Sequence, residues 1–137
     1  FYSQAADFLS DAGAAQVLQR LARDEVQHLE SFSKMLSAIG VSPVHESYPG
    51  EYQVYLKAHV DSQTFNQTRM NKLLAQKKSM SRADALQFGV DAEKDAILYY
   101  TEMKRFISAS EHPTVDRIIT EERGHLSQLV ALLTQGA

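Results

Sequence analysis

Apolar residues return every three and four positions along most of the chain, and only six glycines and three prolines interrupt them in 137 residues. This spacing places apolar side chains on one face of a helix and therefore predicts an all-α protein. We expect four main helical segments. They run over residues 1–10, 14–39, from Ser81 to about 109, and from the Pro113 turn to just before Gly136.

The lengths of these segments predict a bundle. At about 1.5 Å per residue, helices of about 20 to 28 residues reach roughly 30 to 42 Å, which suits a four-helix bundle. Residues of about 40–80 are broken by Pro43, Pro49 and Gly50, and we interpret them as a long, partly helical crossover between two helical hairpins. The prediction is one domain over 1–137. No cap or turn signal precedes FYSQAADFL, so we expect a first helix truncated at its N-terminus.

The two predicted hairpins resemble each other in sequence. FYSQAADFLS matches YYTEMKRFIS at an offset of 98, and RLARDEVQHLESFSKML matches RIITEERGHLSQLVALL at an offset of 97. A repeat of this kind predicts a bundle with approximate internal two-fold symmetry.

Acids and imidazoles interrupt the apolar stripes at matching positions of this repeat. Glu25 and His28 lie three residues apart in the second segment, Glu122 and His125 in the fourth, and Glu93 lies on the stripe of the third. Chance alone gives about a third of one Glu-x-x-His pair in this composition, so two pairs in register are informative. Residues three apart project from nearly the same side of a helix, and buried charged groups need a salt bridge or a metal ion as compensation.

Bundles that bind two metal ions with carboxylates take one Glu from each of two helices and Glu-x-x-His from each of the other two. Only the first segment lacks its acid here. Because Tyr2 is the repeat partner of Tyr100, the partner of Glu93 would fall six positions before Phe1. We therefore expect the missing glutamate at that upstream position.

The segments EKDAILYY, DEVQHL and EERGHL, with FY and AA near the start, resemble the rubrerythrin-like branch of the ferritin-like superfamily. The resemblance implies that Glu25, Glu93 and Glu122 are carboxylate ligands, with Glu93 bridging. It further implies one nitrogen ligand per iron, and two tyrosines near the site as hydrogen-bond donors. The nitrogen ligands would be His28 and His125, and the tyrosines would be Tyr2 and Tyr100.

The same resemblance implies a function. It implies a ferritin-like fold with a centre of two iron ions, for which Mn or Zn could substitute, and an oxidoreductase that reduces peroxide or oxidises Fe(II) with O2 or peroxide. Ala96 stands where classical members have a further glutamate, and the chain has no cysteine-rich domain. We therefore expect an external electron donor, such as a rubredoxin-type protein, and a homodimer. The alternatives are an iron-handling protein in a ferritin-like assembly and a non-catalytic helical bundle whose polar core holds no metal.

Composition narrows these alternatives. The chain has no cysteine, which excludes disulfides and thiolate ligands within it, so a metal site must use oxygen and nitrogen ligands. Fourteen basic against 17 acidic residues indicate no nucleic-acid partner. No apolar run approaches the roughly 18 residues of a membrane span, so we expect a cytoplasmic protein. We interpret His45, His59 and His112, which lack the Glu-x-x-His context, as solvent or loop histidines.

Overall fold

The computed structural model describes residues 1–7, 9–38, 81–105 and 107–135. These ranges hold four α-helices and no strand, which confirms the all-α prediction. The helices are α1 (Tyr2–Ala6), α2 (Ala12–Ala38), α3 (Arg82–Met103) and α4 (His112–Thr134), with a short 3-10 helix at Ala109–Glu111. The predicted crossover at about 40–80, with His45 and His59, lies outside the described residues.

Local capping determines where α2 begins. The Oδ1 atom of Asp11 accepts the backbone N–H groups of Gly13 and Ala14, at 2.9 and 3.2 Å. These bonds satisfy amide groups that have no partner inside the helix, and the helix starts at Ala12 rather than at the predicted 14. The first helix also differs from its prediction, because α1 ends at Ala6 instead of residue 10.

The start of α3 agrees with its sequence signal. Ser81 Oγ accepts the N–H of Asp84 at 3.1 Å, and Asp84 Oδ2 accepts the N–H of Ser81 at 3.1 Å, which completes the expected capping box. The helix ends at Met103, six residues before the expected 109. Ile107 lies in the connecting segment after α3, outside any helix, and its side chain is buried. Its apolar character therefore continued the helical spacing past the true end of α3.

Arg82 joins three helices at one end of the bundle. Its Nε donates to Asp11 Oδ2 at 2.9 Å, and its Nη2 donates to the backbone carbonyl of Leu132 at 3.0 Å. The starts of α2 and α3 and the end of α4 therefore meet, so α2 and α3 point the same way and α4 runs opposite to them. Helix α1 packs on α2, and α4 packs on both α2 and α3.

The described residues form two apolar core clusters, one toward each end of the bundle. The first has Tyr2, Ala5, Ala6, Leu18, Leu21, Leu86, Val90 and Leu129 as its buried members, and the second has Met103, Ile107, Val115, Ile118 and Ile119. Along α4, Glu122 and His125 fall between Ile119 of the second cluster and Leu129 of the first. The polar residues thus occupy a layer with apolar packing on either side.

None of the helices in the described ranges combines the length and the apolar character that crossing a membrane requires.

Candidate metal centre

The structure brings the five predicted ligand residues into one layer of the bundle. His28, Glu93, Glu122 and His125 are 2, 1, 0 and 6 % exposed, whereas the Glu25 side chain is 31 % exposed. The helical spacing of three residues aims each Glu and His pair at the same interior region. Full burial of two carboxylates is costly unless something compensates their charge.

The spacing of the donor atoms is close to that of a metal site. One ligand atom from each of Glu25, Glu93, Glu122 and His125 can be chosen so that all lie within 4.8 Å of one another. Ligand atoms on opposite sides of one ion with bonds of about 2.1 Å are about 4.2 Å apart, so a small contraction would bring these atoms into coordination.

Glu122 lies at the centre of the cluster. Its Oε1 is 3.0 Å from Nδ1 of His28, and its Oε2 is 3.1 Å from Nδ1 of His125. The planes of the two imidazole rings are inclined by 27°, with centroids 5.7 Å apart. The resemblance implies that Glu93 bridges the ions, which stays a prediction, and Glu122 is the carboxylate with one oxygen toward each histidine.

The remaining contacts repeat on both sides of Glu122. His28 Nδ1 is 3.8 Å from Glu25 Oε2, and His125 Nδ1 is 3.7 Å from Glu93 Oε2. Each histidine Nδ1 atom therefore lies near one further carboxylate in addition to Glu122, which is Glu25 for His28 and Glu93 for His125. These two contacts are similar in length but are not repeat partners, because the internal repeat pairs Glu25 with Glu122 and places the partner of Glu93 upstream of Phe1.

Three buried donor atoms in this cluster have no hydrogen-bond partner within the described part of the chain. They are His28 Nδ1, Glu93 Oε2 and Glu122 Oε1. His28 Nδ1 and Glu122 Oε1 are close enough for an ion pair but are not aligned for a hydrogen bond. A buried polar atom without a partner costs about 1–3 kcal/mol, and a cation between these atoms would remove that cost.

The ion pairs stabilise the charged forms of three of these groups. Burial disfavours the imidazolium of His28, but contacts with Glu122 and Glu25 outweigh it and raise its pKa to about 11. Burial likewise opposes protonation of His125, yet Glu122 and Glu93 raise its pKa to about 10. Burial acts to raise the pKa of Glu122, and the two histidines overcome it and lower that pKa to about 2.

Glu93 shows the opposite shift. Burial raises its pKa to about 7, and the nearby Glu122 carboxylate contributes to the rise although the His125 imidazole opposes it. With both imidazoles protonated, the three carboxylates give the cluster one net negative charge above the pKa of Glu93 and none below it. A surplus of negative charge favours binding of a cation.

Both predicted tyrosines lie beside the cluster. The hydroxyl of Tyr2 donates to Glu93 Oε1 and lies 3.4 Å from the Gly89 carbonyl oxygen. Burial, with the Glu93 charge, raises the pKa of Tyr2 far above its usual range. Burial and the charges of Glu122 and Glu25 also raise the pKa of Tyr100. Both hydroxyl groups therefore keep their protons at neutral pH.

Two acids that sequence reasoning missed contact the outer nitrogens of the histidines. Glu121 Oε2 is 2.8 Å from Nε2 of His28, and Asp24 Oδ2 is 3.3 Å from Nε2 of His125. Each acid reaches from one helix to the histidine of the other. The signal was present in the sequence, since an acid directly precedes the ligand glutamate in both RDEVQHL and EERGHL. A carboxylate on Nε2 fixes the ring and leaves Nδ1 for a metal.

His112 lies outside this cluster. It is the first residue of α4, and its Nε2 is buried without a hydrogen-bond partner among the described residues. The interpretation as a solvent or loop histidine therefore does not fit its surroundings.

Comparison of the chain with protein-family models, with curated proteins and with solved structures finds no match.

Proposed function

We propose that this protein is a ferritin-like di-iron carboxylate oxidoreductase of the rubrerythrin type, which reduces peroxide or oxidises Fe(II) with O2 or peroxide. The observation that carries the proposal is the convergence of four ligand atoms within 4.8 Å of one another, on Glu25, Glu93, Glu122 and His125. Glu93 and Glu122 each keep one buried oxygen without a hydrogen-bond partner among the described residues. Carboxylate oxygens with an imidazole nitrogen are the donor set that Fe(II) and Mn(II) accept in proteins.

The contacts support a division of the ligands between two ions. His28 would bind one ion, His125 and Glu93 would bind the other, and Glu122 has an oxygen on each side. Glu25 lies near both groups. The glutamate expected six positions upstream of Phe1 remains a prediction and would complete the set. Zn or Mn would fit the same donors.

When bound, a pair of ferrous ions supplies the two electrons that reduce a peroxide or dioxygen. The side chains around the cluster orient the ligands, limit the access of water and supply a proton donor. The outer acids Glu121 and Asp24 orient the imidazoles, and the apolar clusters on either side of the layer limit the access of water. The Tyr2 hydroxyl donates a hydrogen bond to Glu93 and so keeps a proton at the edge of the cluster.

The proposed reaction needs a source of electrons. Peroxide reduction consumes two electrons and two protons per peroxide, and the chain contains no cysteine that could hold a further redox group. An external electron donor of the rubredoxin type would return the electrons. We also propose a homodimer in the cytoplasm as the working form.

Metal loading tests the proposal directly. The complete natural chain, stripped with a chelator, is loaded anaerobically with Fe(II), and bound iron is counted before and after exposure to air or peroxide. We expect about two irons per chain and optical and Mössbauer changes on oxidation. Glu122→Ala should lower the count below one, because it removes the ligand that both halves share.

Asp91→Ala is the control, since this acid is 49 % exposed on α3 and pairs with Lys94 outside the cluster. Less than one iron per wild-type chain, with no effect of Glu122→Ala, would refute the metal centre and favour a polar-core bundle without metal. Oxidation within a cage of many subunits would instead favour iron handling, and light scattering distinguishes that case from a dimer.

A further inference from the structure

The two halves of the centre are related by the repeat, but their outer supports differ. In α4, Arg117 Nη1 donates to Glu121 Oε1 at 3.0 Å, and the other oxygen of Glu121 lies 2.8 Å from His28 Nε2. Arginine, carboxylate and imidazole thus form a continuous chain that ends at His28 Nδ1, which has no hydrogen-bond partner among the described residues and lies 3.0 Å from Glu122 Oε1. Both oxygens of Glu121 are held.

The equivalent positions of α2 do not form such a chain. Arg20 and Asp24 are the repeat partners of Arg117 and Glu121. Arg20, however, donates across to Gln128 Oε1 on α4. Within the described helices no bond joins Arg20 to Asp24. The aspartate is one methylene shorter than a glutamate, and its Oδ2 stops 3.3 Å from Nε2 of His125 without hydrogen-bond alignment.

We propose that Glu121, fixed by Arg117, is a positioning residue that makes the His28 half of the centre the tighter of its two metal positions. The first ion then binds at His28, and the ion at His125 binds second and leaves first. This inference rests on the proposed di-metal function and adds an order of loading to it. The orienting carboxylate of a metal-binding histidine typically changes metal affinity about 10- to 100-fold, so unequal supports give unequal affinities.

Exposure does not explain the difference between the two acids. The side chains of Glu121 and Asp24 are 40 and 34 % exposed, so solvent screens both to a similar degree. The difference lies in side-chain length and in the arginine that anchors only one of them. A carboxylate already held on one oxygen loses less conformational freedom when the other oxygen binds the imidazole.

Anaerobic calorimetric titration of the metal-free natural chain with Fe(II) tests the order of loading. We expect two binding steps. Glu121→Gln should weaken the tighter step about tenfold or more, whereas its matched partner Asp24→Asn should weaken the other step less than about fivefold. Arg117→Gln should reduce the tighter step and Arg20→Gln should not. Glu121→Gln and Asp24→Asn keep side-chain size, Arg117 and Arg20 are exposed, and circular dichroism verifies the fold.

A second measurement needs no metal. In ¹⁵N NMR spectra of the metal-free chain, the Nε2 proton of His28 should exchange with water more slowly than that of His125, and Glu121→Gln should remove this protection. Equal exchange at the two histidines, equal affinities for the two ions, or equal effects of Glu121→Gln and Asp24→Asn would overturn the inference while leaving the di-metal function intact. Failure of the wild-type chain to bind Fe(II) would overturn both.

Discussion

At the scale of single residues, small differences in side-chain length and size determine the geometry of the centre. Glu122 reaches a histidine with each oxygen, and Tyr2 extends from α1 to Glu93 on α3. Gly89 leaves room for this tyrosine. A Cβ atom there would lie 3.1 Å from Leu129 Cδ1 and 3.2 Å from Tyr2 Cε1.

Two helical glycines, Gly89 and Gly124, should respond in opposite ways to alanine. No atom of the described residues lies within 4 Å of a Cβ built on Gly124, so Gly124→Ala should stabilise α4 by up to about 1 kcal/mol through helix propensity. Gly89→Ala should destabilise the fold by about 1 kcal/mol net, because crowding outweighs the same propensity gain. Urea unfolding measures both, and a gain in stability from Gly89→Ala would contradict the close packing.

The bond between Tyr2 and Glu93 should appear as an energetic coupling. Tyr2→Phe keeps the ring but removes the donor to a buried carboxyl group, and hydrogen bonds to charged groups contribute about 1.5–3 kcal/mol. A double-mutant cycle with Glu93→Gln, followed by urea unfolding of the metal-free chain, should give a coupling energy above about 0.5 kcal/mol. Additive effects of the two substitutions would show that the two side chains do not interact.

At the scale of helices, caps and connections set the boundaries more strongly than apolar periodicity does. The capping box at Ser81 and the first-turn Pro113 are local sequence signals, and α3 and α4 begin where they predict. The ends of α1 and α3 carry no comparable signal. Ile107 is buried although it lies in a connecting segment, so its apolar character could not show where α3 ends.

Asp11 should matter more for stability than Ser81 does, although both residues cap helices. Ser81→Ala removes one cap and should cost about 1 kcal/mol. Asp11→Ala removes the cap of α2 and also the bond to Arg82, which links α3 to α2. Thermal unfolding followed by circular dichroism should show the larger loss for Asp11→Ala. Equal losses would mean that the Arg82 contact adds nothing to stability.

At the scale of the whole molecule, the polar layer is a set of charges enclosed by apolar packing. In the metal-free protein the histidines are protonated and compensate part of the carboxylate charge. A metal ion and a proton therefore compete for the same nitrogen atoms. The stability of the fold should depend on pH in opposite ways with and without metal.

The metal-free chain should be most stable near pH 4.5 and lose stability as pH rises above this value. The folded-state pKa values of His28 and His125, about 11 and about 10, exceed the ordinary 6.5, so their contribution is complete below 6.5 and disappears as pH rises through these values. The lowered pKa of Glu122, about 2, makes its contribution present above 4.5 and lost as pH falls toward 2. Because the pKa of Glu93 is raised to about 7, its carboxyl group makes the fold progressively less stable as pH rises from 4.5 to 7.

Melting temperatures at pH 5.5, 7 and 8.5, with and without anaerobic Fe(II), measure this dependence. The metal-free melting temperature should fall across the series, and the increase on adding metal should grow because deprotonated ligands bind more tightly. Glu93→Gln should flatten the metal-free change between pH 5.5 and 7. A metal-free melting temperature that rises from pH 7 to 8.5 would contradict the assignment of protonated histidines.

Sequence alone determined the helical class, the starts of two helices and the candidate ligands, because these depend on local spacing. A period near 3.6 needs no knowledge of neighbouring helices, and two Glu-x-x-His pairs within a repeat identify residues of matching geometry. Tertiary structure decided which atoms meet. Only the packing of α2 against α4 places Glu122 between the two histidines. The same packing brings Glu121 and Asp24 into contact with the imidazole of the other helix, and Arg20 into contact with Gln128. Such contacts depend on the separation and rotation of helices nearly a hundred residues apart in sequence, which no local pattern encodes.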